Sequence, residues 1–341
     1  MSVFAYTKTG PADCPADVDY SKVQGKTVII TGGSNGLGAA YIKAFAENGF
    51  LLEAMLAADH LMLSSTGSIL FVTCDVTSWD DLVALFETAR AKSPNGGIDV
   101  VIANAGIFKE DLFFAGTSSP LSCQQFESFS ALVGSFPLNN GENTLLIDLS
   151  QTGLDSPVPT KPNLKMMDVN IYGVFYTAKL AAHYFSQQPE DKYDRCLILI
   201  GSVMSYLDTY GAVSYGMSKH GVRGLMGVLR RRGIMRVNML APWYTPSTVN
   251  TAEFQNYLED LFASQGLSFA EVNDAVKVIM RIATDPTLNG RTLSNVPRLV
   301  ARSGYVDFAM DDFEEGSILD RFQRSVAQIK YTHMASPPSK K

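Results

Sequence analysis

The 341-residue chain has little of what would tie it to a metal, a disulfide framework or nucleic acid. Its four cysteines, Cys14, Cys74, Cys123 and Cys196, stand far apart with no CxxC spacing, which reads as reduced thiols. His60, His183, His220 and His333 are equally scattered, so no metal site is expected. Lys and Arg number 28 against 34 Asp and Glu, a formal charge of -6. With no basic excess to neutralise phosphates, a general nucleic-acid binder is excluded. No apolar run approaches the roughly 20 residues of a membrane helix. The opening MSVFAYTKTGPADCPADVDY lacks the apolar core of a secretory signal. The expectation is a cytoplasmic chain that engages neither membrane nor nucleic acid.

What is present is an ordinary globular composition, 46% hydrophobic and 18% charged. Apolar runs of strand length alternate with helical patterns, the rhythm of βαβ units. KTVIITGG, ILFVTCDV, IDVVIANAG, RCLILIGS and RVNMLAP read as strands. LGAAYIKAFAENG, SWDDLVALFETARA, LKMMDVNIYGVFYTAKLAAHYF, AVSYGMSKHGVRGLMGVLRR and FAEVNDAVKVIMRIAT read as helices. Gly49 is a plausible stop for the first helix, and Ser78 caps the second with Asp81 three residues on. FLLEAMLAADHLML has helical rather than strand character. The expected fold is α/β, a doubly wound parallel sheet in one domain over 23–330. Tails cover 1–22 and 331–341, and an atypical insertion sits near 110–160.

Four constellations carry chemistry. TGGSNGLG, Thr31 to Gly38, lies between strand and helix. Gly32, Gly36 and Gly38 let backbone approach a pyrophosphate while a helix N-terminus offers N–H groups and positive dipole, although glycine turns also serve as plain connectors. Asp75 ends a strand, as an adenine acceptor or a helix-start aspartate. ANAG, Asn104 to Gly106, ends another, where ligands of open α/β sheets bind, or is a simple turn. The fourth is Asn170, Ser202, Tyr215 and Lys219. Free tyrosine is a poor base at pH 7. A cation one helical turn away favours the phenolate, and a serine hydroxyl beside it can hold a substrate oxygen while the phenol gives or takes a proton.

With these motifs in this order the chain resembles the short-chain dehydrogenase/reductase family, whose fold is the Rossmann fold, across roughly 23 to 305. NGRTLSNVPR and APWYTP are similar to fungal enzymes grouped with 15-hydroxyprostaglandin dehydrogenase, some of which serve secondary metabolism. The resemblance implies an NAD(P)-dependent oxidoreductase interconverting a secondary alcohol and a ketone. Tyr215 would be the general acid/base. Lys219 would lower its pKa and hold the nicotinamide ribose, Ser202 would orient the substrate oxygen, and Asn170 would bind a relay water. Thr31, Gly32, Ser34, Asn35, Gly36, Leu37 and Gly38 would face cofactor phosphates and adenosine. Asp75 and Val76 would meet adenine, with Asn104, Ala105 and Gly106 alongside.

The pattern also departs from the family. Leu56 stands where an acid usually binds the ribose hydroxyls, leaving Asp59 for that role. GTSSPLSCQQFESFSALVGSFPLNNGENT is extra, and the stretch from Lys219 to Pro242 is short, which puts a homo-oligomer in doubt. Trp243 follows Pro242 where glycine is usual, and Ser247 matches the nicotinamide-binding threonine. NAD is preferred over NADP because NGFLLEAMLAADH holds no Arg or Lys for a 2′-phosphate. The substrate is a small alcohol or ketone, hydrophobic or aromatic if Trp243, Tyr244, Phe254 and Tyr257 line a lid rather than pack it. The alternative is a weak or inactive scaffold of the same fold, a disrupted isoform.

Overall fold

Strands that are apolar at nearly every position need cover on both faces, and the two cores of this domain meet that need. The computed structural model describes residues 10–15, 18–48, 51–55, 68–108, 161–189, 193–208, 212–246 and 252–327. Asp59, Ser247, the 110–160 insertion and the 331–341 tail lie outside the described residues.

Eight strands form one sheet: β1 (Thr27–Ile30), β2 (Leu51–Met55), β3 (Ser68–Val72), β4 (Val100–Ala103), β5 (Cys196–Ile200), β6 (Arg236–Leu240), β7 (Thr292–Asn295) and β8 (Tyr305–Asp307). Their order is β3-β2-β1-β4-β5-β6-β7-β8, parallel except for β7 against β8. The order reverses after β1, which then lies beside β4, so the carboxyl ends of β1 and β4 open a crevice. The helices are α1 (Gly36–Glu47), α2 (Trp79–Lys92), α3 (Val174–Ser186), α4 (Val213–Leu229), α5 (Ala252–Ser264), α6 (Val272–Thr284) and α7 (Ile318–Val326). A turn at Lys165–Met167 and a π-helical stretch at Asp168–Gly173 lead without a break into α3.

The two-residue period of a strand divides the core. Val28, Ile30, Ile102, Ile198 and Leu240 point toward Tyr41 and Phe45 of α1 and Val278 and Ile282 of α6. Ile29, Val101, Leu197, Leu199 and Met239 point toward α2, α3 and α4, against Leu82, Phe86, Phe185 and Met226.

Two expectations change. Leu51–Met55 is a strand, not helical, because it pairs with β1 on one side and β3 on the other. Part of the stretch read as an N-terminal tail is packed: Ala12, Cys14, Val18 and Tyr20 lie on the α1/α6 core, and the Ala12 N–H donates to Asp307 at 2.8 Å. After Lys219, α4 runs on to Leu229, 17 residues in all, before a tight connection enters β6. Ser78 caps α2 as expected, its hydroxyl accepting from the Asp81 N–H and donating to the Asp81 carboxylate at 2.9 Å. Among the described residues no helix is long and apolar enough to cross a membrane.

Candidate active site

The glycine turn is held from below by its neighbour strand. The Thr31 hydroxyl accepts from the N–H groups of Asn104 at 3.0 Å and Ala105 at 3.1 Å. The Asn104 amide donates to the carbonyls of Thr31 and Gly32, both at 2.9 Å. Asn104 thus ties the ends of β1 and β4 together across the crevice. Gly32 has φ +68°, and a Cβ there would lie 2.7 Å from the Ala105 Cα. A Cβ on Gly38 would lie 2.1 Å from the Gly32 carbonyl oxygen, so α1 can close on the turn only with glycine there.

Asn35 caps α1 by position, yet its side chain makes no cap hydrogen bond. The first-turn N–H groups and the positive dipole end of a twelve-residue helix therefore face the crevice. Ser34 is half-buried, Gly36 exposed, and Leu37 packs on the α1/α6 core. These residues fit a dinucleotide's pyrophosphate: glycines at 32 and 38 keep the turn close, and α1 starts there with no side-chain cap on its first N–H groups.

Asp75 is exposed at the end of β3, one carboxylate oxygen accepting from the Thr77 N–H and hydroxyl at 2.9 and 2.8 Å. Val76 is buried, and a Cβ on Gly173 would meet it at 2.8 Å. Gly173 closes the π-helical stretch that holds Asn170, and such stretches recur at functional sites. Asn170 grips the chain after β4. Its carbonyl oxygen accepts from the Ile107 N–H at 2.9 Å, and its amide donates to the Ile107 carbonyl at 2.9 Å and the Ser218 hydroxyl at 3.3 Å.

The other three residues converge beyond β5. Ser202 starts a 3-10 turn at Val203–Ser205, its hydroxyl accepting from the Met204 N–H at 3.2 Å. The same hydroxyl hydrogen-bonds the Tyr215 phenol. Ser205 fastens this turn to α4, donating to the Lys219 carbonyl at 2.8 Å. Lys219 Nζ lies 5.5 Å from the Tyr215 ring centroid and donates to the Ile200 carbonyl at 3.0 Å. It also borders Gly106, where a Cβ would stand 3.8 Å away. Pro242 closes the far side, its carbonyl accepting from the Val203 N–H at 3.1 Å.

Burial governs the electrostatics. It pushes the Lys219 ammonium down to about 8. It also raises the Tyr215 phenol, the Ser202 hydrogen bond opposing it and a charge on Tyr244 adding to it. Loss of water is the largest of these effects on the phenol. Near pH 7 the phenol keeps its proton.

Sequence reasoning passed over three supports. Ser205 and Ser218 brace α4 against the loops around it, and nothing local marks them. Phe108, 5.0 Å ring-to-ring from Tyr215, carried no motif. Tyr244 does pack as one expectation had it, against Trp243 and Phe262 at 5.4 and 5.2 Å, but it also neighbours Tyr215.

A family model described as short chain dehydrogenase matches residues 26–130 and 152–258. The chain belongs to the short-chain dehydrogenase family. Among curated short-chain dehydrogenases it is 31% identical to 5'-hydroxyaverantin dehydrogenase of Dothistroma septosporum, over 88% of this chain and 92% of that one. It is 26% identical to the NADP-dependent dehydrogenase M3 of a Phoma species, over 91% of this chain and 87% of that one. Ligand-free aldohexose dehydrogenase of Thermoplasma acidophilum superposes with a TM-score of 0.59 at 19% identity, covering 81% of this chain and 94% of that one. At that identity the likeness speaks to the fold.

Proposed function

We propose that this short-chain dehydrogenase interconverts a secondary alcohol and a ketone, with Tyr215 as the general acid/base. The observation that supports it most is the Ser202 hydroxyl bonded to the Tyr215 phenol at the carboxyl edge of the sheet. A buried Lys219 ammonium stands beside that pair. A nicotinamide cofactor, when bound, gives or takes the hydride. The chain's own residues handle the oxygen and the proton.

In the reductive direction Ser202 donates to the ketone oxygen and fixes the carbonyl's orientation. Tyr215, protonated at neutral pH, gives its proton to that oxygen as the carbon is reduced. Lys219, whose position lets it reach toward Gly106, stabilises the phenolate left behind and would hold the cofactor's ribose hydroxyls. Asn170 keeps the chain after β4 in register and would hold a relay water. Thr31, Gly32, Ser34, Asn35, Gly36, Leu37 and Gly38 would hold the phosphates and adenosine. Asp75, Val76, Asn104, Ala105 and Gly106 would line the adenine and ribose side, and Pro242 the nicotinamide side.

NAD is the preferred cofactor, since the segment from Asn48 to His60 carries no Arg or Lys. NADP is the second reading, favoured by a relative named for it. Titrating the protein into NADH and into NADPH, followed by cofactor fluorescence, decides between them. Saturable binding of neither sinks the dehydrogenase reading and leaves the inactive scaffold.

A further inference from the structure

We infer that the substrate carries an aromatic ring next to its reacting carbon, held between Phe108 and Tyr244; this rests on the dehydrogenase reading above. Phe108 follows β4 and Tyr244 follows β6, while Ser202 follows β5, which lies between them in the sheet. Neighbouring strands run about 4.8 Å apart. The chains that bear the two rings therefore leave the sheet roughly 10 Å apart, one on each side of the hydroxyl that meets the substrate oxygen.

Each ring is presented by a braced backbone. Ile107, just before Phe108, is gripped at both its N–H and its carbonyl by Asn170. The Phe108 ring meets Tyr215 edge-on, yet it is 65% exposed. On the other side the Tyr244 carbonyl accepts from the Ala270 N–H at 2.9 Å, and the Trp243 indole donates to the Ser268 carbonyl at 2.9 Å. The Tyr244 ring is wedged between Trp243 and Phe262 and stays within electrostatic reach of the Tyr215 phenol.

An aryl ketone is flat, because its ring is conjugated with the carbonyl. Once its oxygen is fixed by Ser202 and Tyr215, the ring must extend in the carbonyl plane between the two flanks. Stacked or edge-on contacts favour an aromatic guest by roughly 2- to 10-fold for each ring beyond the area they bury. A saturated ring of the same size gains the area alone.

The test uses the Trp79→Phe protein, which leaves Trp243 as its only tryptophan and a reporter touching Tyr244. With NAD and NADP both present it is titrated with 2-acetonaphthone and with decalyl methyl ketone, its saturated counterpart. The expected result is saturable quenching, with the aryl ketone bound about tenfold more tightly or better. Phe108→Leu and Tyr244→Leu should each remove part of that preference, weakening the aryl ketone more than the saturated one. Equal affinities, quenching by neither ketone, or a preference untouched by both substitutions overturns the inference. Reduction assays on the same proteins separate the two claims. If the aryl preference is present but wild type and Tyr215→Phe reduce the ketone equally, or not at all, the dehydrogenase reading fails and the ring slot stands.

Discussion

Lys219 and Arg291 are both cations sunk in this domain, 6% and 1% exposed, and their surroundings are opposite. Arg291 is saturated with charge: its guanidinium meets Asp307 through two nitrogens at 2.8 Å each and Asp312 at 2.9 Å. Its pKa is raised by those carboxylates against its burial. Lys219 has one hydrogen bond, to a neutral carbonyl, and no carboxylate partner among the described residues. Burial alone acts on it. A buried charge that is paired holds elements together, here β7 to β8 and the chain after it. A buried charge left without a counter-ion costs stability and is retained where it acts on something that arrives later.

The largest effect that would sharpen this contrast is kinetic. Tyr215→Phe removes the proton-carrying oxygen beside Lys219, and turnover should fall by on the order of a thousandfold with NADH affinity nearly unchanged. Equal turnover in both proteins would make the site a scaffold. On the paired side, Arg291→Met strands the Asp307 carboxylate. Urea unfolding should show a loss of about 3–5 kcal/mol, and an unchanged midpoint would break the comparison.

Lys219→Met reverses the sign. The folded pKa, about 8, lies below the ordinary lysine value of 10.5. Between these values the unfolded chain binds more protons, so stability rises with pH there and is lost as pH falls through 8. Wild type should gain about 3 kcal/mol across that window relative to Lys219→Met, read as the difference between their urea midpoints. Thr31→Val leaves the Ala105 N–H without its hydroxyl acceptor and the Asn104 N–H with the Ile102 carbonyl alone, and should cost about 1–3 kcal/mol, with weaker NADH binding. Ser78→Ala, which removes only the cap of α2, should cost about 1 kcal/mol and leave turnover unaltered.

Five strands and five helices were legible, the strands as short unbroken apolar runs, as in β1 and β5, and the helices by apolar residues at helical period, as in α6. β2 was not, since LLEAM is interrupted by Glu53 and made of helix-favouring residues, and its strand character comes from the ladders on either side. β7 and β8 were missed for a related reason. Thr292, Ser294 and Asn295 are polar by type, yet each is fully buried because Arg291, β6 and α6 cover them. At the site, Tyr215, Lys219, Ser202 and Asn170 stood out by spacing and type. Phe108 did not, because one phenylalanine after a strand carries no pattern.

The sequence by itself determined the elements and the chemical identities: a bare glycine turn entering a helix, a phenol and an ammonium four residues apart, and a serine ending a strand. These are local facts, legible because period and spacing along a chain need no partner. Only the tertiary structure decided which strand lies beside which, and so that the strands before Phe108 and Tyr244 lie on either side of the strand before Ser202. It also decided that the phenol keeps its proton and the ammonium loosens its own. Protonation depends on how much water the fold removes and which charges it leaves nearby, and neither quantity exists until distant segments pack together.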